Sequence, residues 1–168
     1  ESVFILNSDH GYPDESRNIS FYDKRKYGHD LIMTDDNILT PLIMKFPNFD
    51  SPITNESYVS TLDIIPTILE YLGLEDFILP DIQLRGTSLL PAITNNEKPK
   101  KSIVRVDNRF LFQSNRVVAL RDKSFKYIYD YDNQKELFYN LDNDPEEVTN
   151  LSSDSKYFTT IKNFQFLL

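Results

Sequence analysis

The 168-residue chain has a net charge of −8, no cysteine, and many aromatic residues, with Tyr 10 and Phe 12. That composition belongs to a folded chain and not to a disordered one. It disfavours a nucleic-acid partner, removes disulfides and thiolate metal sites, and holds no apolar stretch long enough for a membrane span.

The first element is Val3-Phe4-Ile5-Leu6, a continuous apolar run stopped by Asn7-Ser8-Asp9. It reads as a strand buried on both faces of a parallel sheet. Ligands in open α/β sheets sit just past the carboxyl ends of such strands, which is where Asp9 and His10 fall. A carboxylate beside an imidazole can bind one divalent cation, and Gly11 lets the backbone turn away behind them. The competing reading is that both are loop groups capping the next element. A chain that opens directly on a central strand is expected to be the carboxyl-terminal part of a longer protein.

Residues 12–28 are polar and read as a long loop over the strand end. Gly28-His29-Asp30 follows, then a short helical turn around Thr34-Asp35-Asp36, whose carboxylates suit a helix amino-terminus. Pro41 to Phe46 is a second buried-strand candidate. Thr61 to Gly73 is the best helix, with Asp63 as cap, Gly73 as stop and Pro66 tolerable near the start. Its apolar stripe of Ile64, Ile65, Ile68, Leu69 and Leu72 reads as core. Arg85 to Pro91 includes a turn and a short helix. Residues 95–101 look like a solvated linker, so a boundary is set there: 1–97 an α/β part, 98–168 a second unit.

Beyond it, Ile103–Val106, Phe110–Phe112, Val117–Leu120, Phe125–Tyr129 and Glu136–Tyr139 are short β-branched and aromatic runs separated by turn residues. They predict an antiparallel meander. Asp144-Pro145-Glu146-Glu147 is a helix-start signal. These acidic residues lack the oxygen spacing of a calcium loop and read as cap and turn. Residues 154–166 predict a last helix with Tyr157, Ile161 and Phe164 on one face. Lys24-Arg25-Lys26 is a basic cluster, read first as a solvated face.

Several of these stretches together resemble the sulfatase family of the alkaline phosphatase superfamily. Ser8-Asp9-His10-Gly11 after an apolar strand is similar to the family's metal-binding turn. Gly28-His29, then Pro41-Leu42-Ile43, resembles its Gly-His-Gly and Val-Pro-Leu-Ile blocks. The Thr61–Gly73 helix, Arg85-Gly86-Thr87-Ser88-Leu89-Leu90-Pro91, Phe125-Lys126-Tyr127-Ile128, Glu136-Leu137-Phe138-Tyr139 and Asn143 to Leu151 follow in the family's order. The resemblance implies a partial alkaline-phosphatase-like α/β sandwich, then a small antiparallel sheet with a terminal helix. It implies an arylsulfatase-like hydrolase acting on a small-molecule or glycan sulfate ester. Phosphodiester, phosphonate and phosphoethanolamine-type chemistry, or a non-catalytic homologue, are the alternatives.

By this resemblance Asp9 and His10 are metal ligands. Many relatives carry Asp-Asn here and favour calcium; a nitrogen donor shifts the expectation toward manganese or zinc. His29 falls where relatives carry a Lys or His that touches the sulfate or the leaving-group oxygen, as hydrogen-bond donor or acid. Asp30 departs from the glycine common there. The formylglycine nucleophile motif, Cys/Ser-x-Pro/Ala-x-Arg, is not in these 168 residues. It is expected in a missing amino-terminal part. The chain alone is therefore expected to be inactive and, with an exposed sheet edge, poorly soluble.

Overall fold

The computed structural model describes residues 2–12, 33–49, 52–77, 81–94, 97, 102–109 and 116–168. His29 and the Lys24–Lys26 cluster lie outside the described residues, as do Asp30 and the Phe110–Phe112 run. Packing groups the chain into two units, residues 1–50 with 105–168, and residues 51–104.

In the first unit, strand β1 (Phe4–Asn7) pairs with β2 (Leu42–Lys45). The pairing is antiparallel, with Leu6 opposite Ile43 and Phe4 opposite Lys45. An apolar run encodes burial and not strand direction, so the parallel expectation is corrected. Phe4, Leu6 and Ile43 share one face of this ribbon and are exposed, so burial on both faces is corrected too. Between the strands lies a one-turn helix α1 (Asp35–Ile38).

The second sheet of this unit has the order β3-β4-β5-β6, formed by Val104–Arg109, Arg116–Arg121, Phe125–Asp130 and Lys135–Asn140. Over β4, β5 and β6 the antiparallel meander forms as expected, and side chains build the β4–β5 and β5–β6 turns. Asp122 Oδ1 accepts from the amides of Ser124 and Phe125, at 2.8 and 2.7 Å. Asp130 Oδ1 does the same for Asp132 and Asn133, and Gln134 takes the left-handed conformation there. Such Asx turns give the chain a local substitute for strand pairing.

Both faces of this sheet are covered, so its strands do not alternate buried and exposed. Helix α4 (Phe158–Gln165) covers one face. There Phe164 stacks on Tyr127 and meets Phe138 edge-on, while Phe125 stacks on Phe138. Each aromatic pair adds about 0.5–1.5 kcal/mol beyond area burial. On the other face Val117, Ala119, Ile128, Leu137 and Tyr139 form a core with Met33. Lys126 and Arg121 share that second face, opposite each other in register. Asn150 ties the chain back onto β6: its Oδ1 accepts from Phe138 N at 3.0 Å and Ser152 N at 3.0 Å, and its Nδ2 donates to Glu136 O at 3.2 Å.

No helix forms at Asp144. Its carboxylate accepts from the amides of Val148 and Thr149, at 3.1 and 2.8 Å. Glu147 sits at φ 53°, a left-handed residue that interrupts any helical run. The helix-start expectation is corrected to a turn.

In the second unit, a 3-10 turn (Thr61–Asp63) leads into helix α2 (Ile64–Leu72). The cap is Ser60, not Asp63. Its hydroxyl accepts from Leu62 N, while Asp63 accepts from Ser60 N at 2.8 Å, a reciprocal capping box. Asp63 also accepts Thr87 N at 2.7 Å, and Thr67 Oγ1 accepts Leu89 N at 2.9 Å. A side chain on Gly86 would overlap the Leu62 carbonyl. The Gly86–Leu89 segment is thus strapped against the start of α2 and leads into α3 (Leu90–Thr94). Gly73 ends α2 at φ 64° as expected. Of the apolar stripe, Ile65 and Leu72 are about half exposed, so they are not core within this unit.

Candidate functional site

The Ser8–Gly11 turn leaves the end of β1. Ser8 Oγ donates to His10 O at 2.6 Å, closing the turn, and His10 N donates to Asp9 Oδ1 at 2.9 Å. His10 Nδ1 lies 2.5 Å from Gly11 O. A carbonyl only accepts, so Nδ1 carries the proton in that bond and the Nε2 lone pair lies on the other side of the ring. Nε2 is 3.8 Å from Asp9 Oδ2. A carboxylate oxygen and an imidazole nitrogen thus sit side by side. A proton on Nε2, or a cation between the two atoms, turns that meeting of acceptors into an attraction. The separation suits an ion held at about 2.0–2.6 Å from each. The Asp9 side chain is 87 % exposed and that of His10 33 %. Two donors are only part of a coordination sphere. Among the described residues, no group of three or more His, Asp or Glu could hold a metal.

Gly11 is held from behind. Its amide donates to Asn37 O at 2.6 Å, and a side chain there would overlap the Asp36 carbonyl of α1. Glycine at position 11 is therefore demanded by close backbone approach.

Helix α1 is in turn fixed by four charged side chains that sequence reading did not connect. Arg121 grips Asp35 with Nη2–Oδ2 at 2.7 Å and Nε–Oδ1 at 2.9 Å. Lys126 Nζ is 2.5 Å from Asp35 Oδ1 and 2.6 Å from Glu147 Oε1, and donates to Met33 O at 3.1 Å. Glu147 Oε2 accepts from Asp35 N at 2.6 Å. Lys126 and Glu147 are wholly buried, and the two cations balance the two anions. Burial works to raise the Asp35 carboxyl. The hydrogen bond from Arg121 and the charge of Lys126 together outweigh it and hold Asp35 below the usual carboxylate range. For Glu147 burial wins over Lys126, and its carboxyl is pushed up. Asp35 was expected to act on the helix dipole; it serves mainly as an ion-pair acceptor. The available signal was register: Lys126 occupies the same strand face as the core residue Ile128.

Residues 18–168 match the sequence profile of the family described as N-sulphoglucosamine sulphohydrolase, C-terminal. The chain belongs to this sulfatase family. The family match begins after Asp9 and His10, so it covers the Lys126 network and not the turn. An ulvan-active sulfatase of Formosa agariphila is 30% identical over 101 residues, 60% of this chain and 16% of that protein. The fold recurs in a structure solved in complex with its substrate D-glucosamine-2-N,6-O-disulfate. That match has a TM-score of 0.72 and 22% identity, and covers 99% of this chain and 33% of that one. It recurs equally in a phosphonate monoester hydrolase from Silicibacter pomeroyi, with TM-score 0.75 and 19% identity over 98% of this chain and 33% of that one. This sulfatase-family chain therefore spans about a third of the solved relatives and less of the curated one.

Proposed function

We propose that this chain supplies the metal-holding turn and the carboxyl-terminal sheet of a metal-dependent hydrolase of sulfate esters. The observation that carries the reading is the Asp9 Oδ2–His10 Nε2 pair, 3.8 Å apart on a turn whose ring orientation is fixed by Gly11 O. Asp9 and His10 would hold calcium, manganese or zinc, and a bound ion would polarise the ester's central atom toward nucleophilic attack. Asp9 contributes the anionic donor. His10 contributes a neutral nitrogen with its proton parked on Nδ1, and Ser8 keeps the turn closed. His29 would donate to the leaving-group oxygen. The formylglycine and the remaining ligands would come from outside these residues, and the 168-residue chain alone would not turn over ester. A small-molecule or glycan sulfate is the substrate class.

A phosphonate or phosphodiester substrate is the second reading. The nitrogen donor in the pair and the phosphonate hydrolase fold favour it. The test has two stages. Manganese titrated into the purified chain should broaden the His10 ring signal, and Asp9→Asn should abolish that broadening. Undisturbed His10 signals at millimolar manganese, in this chain and in the protein encoded with its upstream sequence, would overturn the metal reading. The protein encoded with its upstream sequence should then hydrolyse 4-nitrophenyl sulfate in preference to a phenyl phosphonate ester; the reverse preference selects the second reading.

A further inference from the structure

We infer that Asp35, Arg121, Lys126 and Glu147 are positioning residues for the Asp9–His10 turn, acting through helix α1 and the Gly11–Asn37 hydrogen bond. The path is continuous. Lys126 and Arg121 project from β5 and β4 and converge on the Asp35 carboxylate. Glu147 takes the Asp35 amide, the first of α1, and pairs with Lys126. Both ends of the Asp35 residue are thereby fixed, so α1 cannot rotate or slide without breaking buried ion pairs. Two residues on, Asn37 O receives the Gly11 amide. Gly11 O receives His10 Nδ1. The imidazole orientation that turns Nε2 toward Asp9 therefore depends on a charge cluster in the small sheet.

The arrangement has a physical logic. A one-turn helix has no stability of its own, and Thr34 makes no side-chain cap bond to it. A helix so short needs an outside anchor if it is to hold a neighbouring turn still. Buried ion pairs are costly to form and stringent in geometry, which makes them better at fixing position than at adding stability. Glu147 adopts a left-handed backbone that side-chain residues avoid, and the reward is its double engagement with Lys126 and Asp35.

The inference leans on the metal reading only for its consequence; the positioning itself is read without metal. The chain has two histidines, so ring NMR resolves His10 with little overlap. In the wild type, long-range nitrogen–proton spectra should show the Nδ1–H form of His10. Glu147→Gln and Lys126→Met should each shift His10 toward a mixture of ring forms and raise the manganese concentration for half-broadening about tenfold. The ring signals of Tyr127 and Phe138, on the opposite face of the sheet, should stay in place. A folded variant with wild-type His10 spectra overturns the positioning role and reduces the cluster to a structural one. Shifted His10 spectra together with no manganese effect in the wild type, in this chain and in the protein encoded with its upstream sequence, would keep the positioning role and sink the metal reading. Wild-type hydrogen exchange decides the case if neither variant folds. The Gly11 and Asp35 amides should exchange with one shared protection factor, and independent exchange of the two would overturn the coupling.

Discussion

Lys126 Nζ lies 2.6 Å from Glu147 Oε1 with both side chains wholly shielded from solvent. Removing the cation alone leaves two carboxylates inside the protein with only Arg121 to answer them. Breaking a buried pair from one side costs about 3–5 kcal/mol. Lys126→Met should lower unfolding free energy by that order in urea titrations. Lys126→Met combined with Glu147→Gln should lose less than Lys126→Met alone. A larger loss in the double variant would mean that the two groups do not act as a pair.

The same cluster sets opposite signs of pH dependence. Glu147 is raised above 4.5 by burial, so its contribution is fully present below 4.5 and is lost as pH rises through its folded value. Asp35 is lowered from 3.8 by Arg121 and Lys126 acting against burial. Its contribution is present above 3.8 and lost as pH falls through its folded value. Stability followed by urea midpoint from about pH 7 to about pH 3 should rise toward 4.5 and then decline. Glu147→Gln should flatten the rise, and Asp35→Asn the decline.

At the start of α2, Ser60→Ala removes one cap and should cost about 0.5–2 kcal/mol. Asp63→Ala strips an acceptor from both Ser60 N and Thr87 N. Each bare amide costs about 1–3 kcal/mol, so Asp63→Ala should be the more damaging. Thermal unfolding followed by far-ultraviolet circular dichroism orders the two.

Glycine substitutions separate backbone conformation from steric contact. Nothing crowds a side chain at Gly73, which is held only by φ 64°, so Gly73→Ala should cost about 1–2 kcal/mol. Gly86→Ala forces a methyl into the Leu62 carbonyl and should lower the melting temperature further. Gly11→Ala should do less to melting than to the manganese titration, since it pushes the turn away from α1.

The Asp9–His10 pair was legible because its members are sequence neighbours just past the end of an apolar run that forms β1. The four-stranded meander and the terminal helix were legible from aromatic runs, Asx turns and helical spacing. Strand direction was not, since Val3 to Leu6 reads the same in either pairing. The Lys126 cluster was not, because its members lie 91 residues apart along the chain from Asp35 to Lys126 and meet only through register. The Ser60–Asp63 box was present as Ser-x-x-Asp, yet Asp63 drew attention as the residue nearest the apolar stripe. Glu147 was hidden by a helix-start pattern whose fourth residue turns left-handed.

Asn150 carries a last consequence. Asn150-Leu151-Ser152 satisfies the acceptor pattern for an asparagine-linked sugar. Yet the nitrogen that would take the glycan already donates to Glu136 O, and the oxygen beside it serves Phe138 N and Ser152 N. That nitrogen has two hydrogens and spends one on Glu136 O, so an oligosaccharide joined there must replace the other if the 150s are to stay docked along β6.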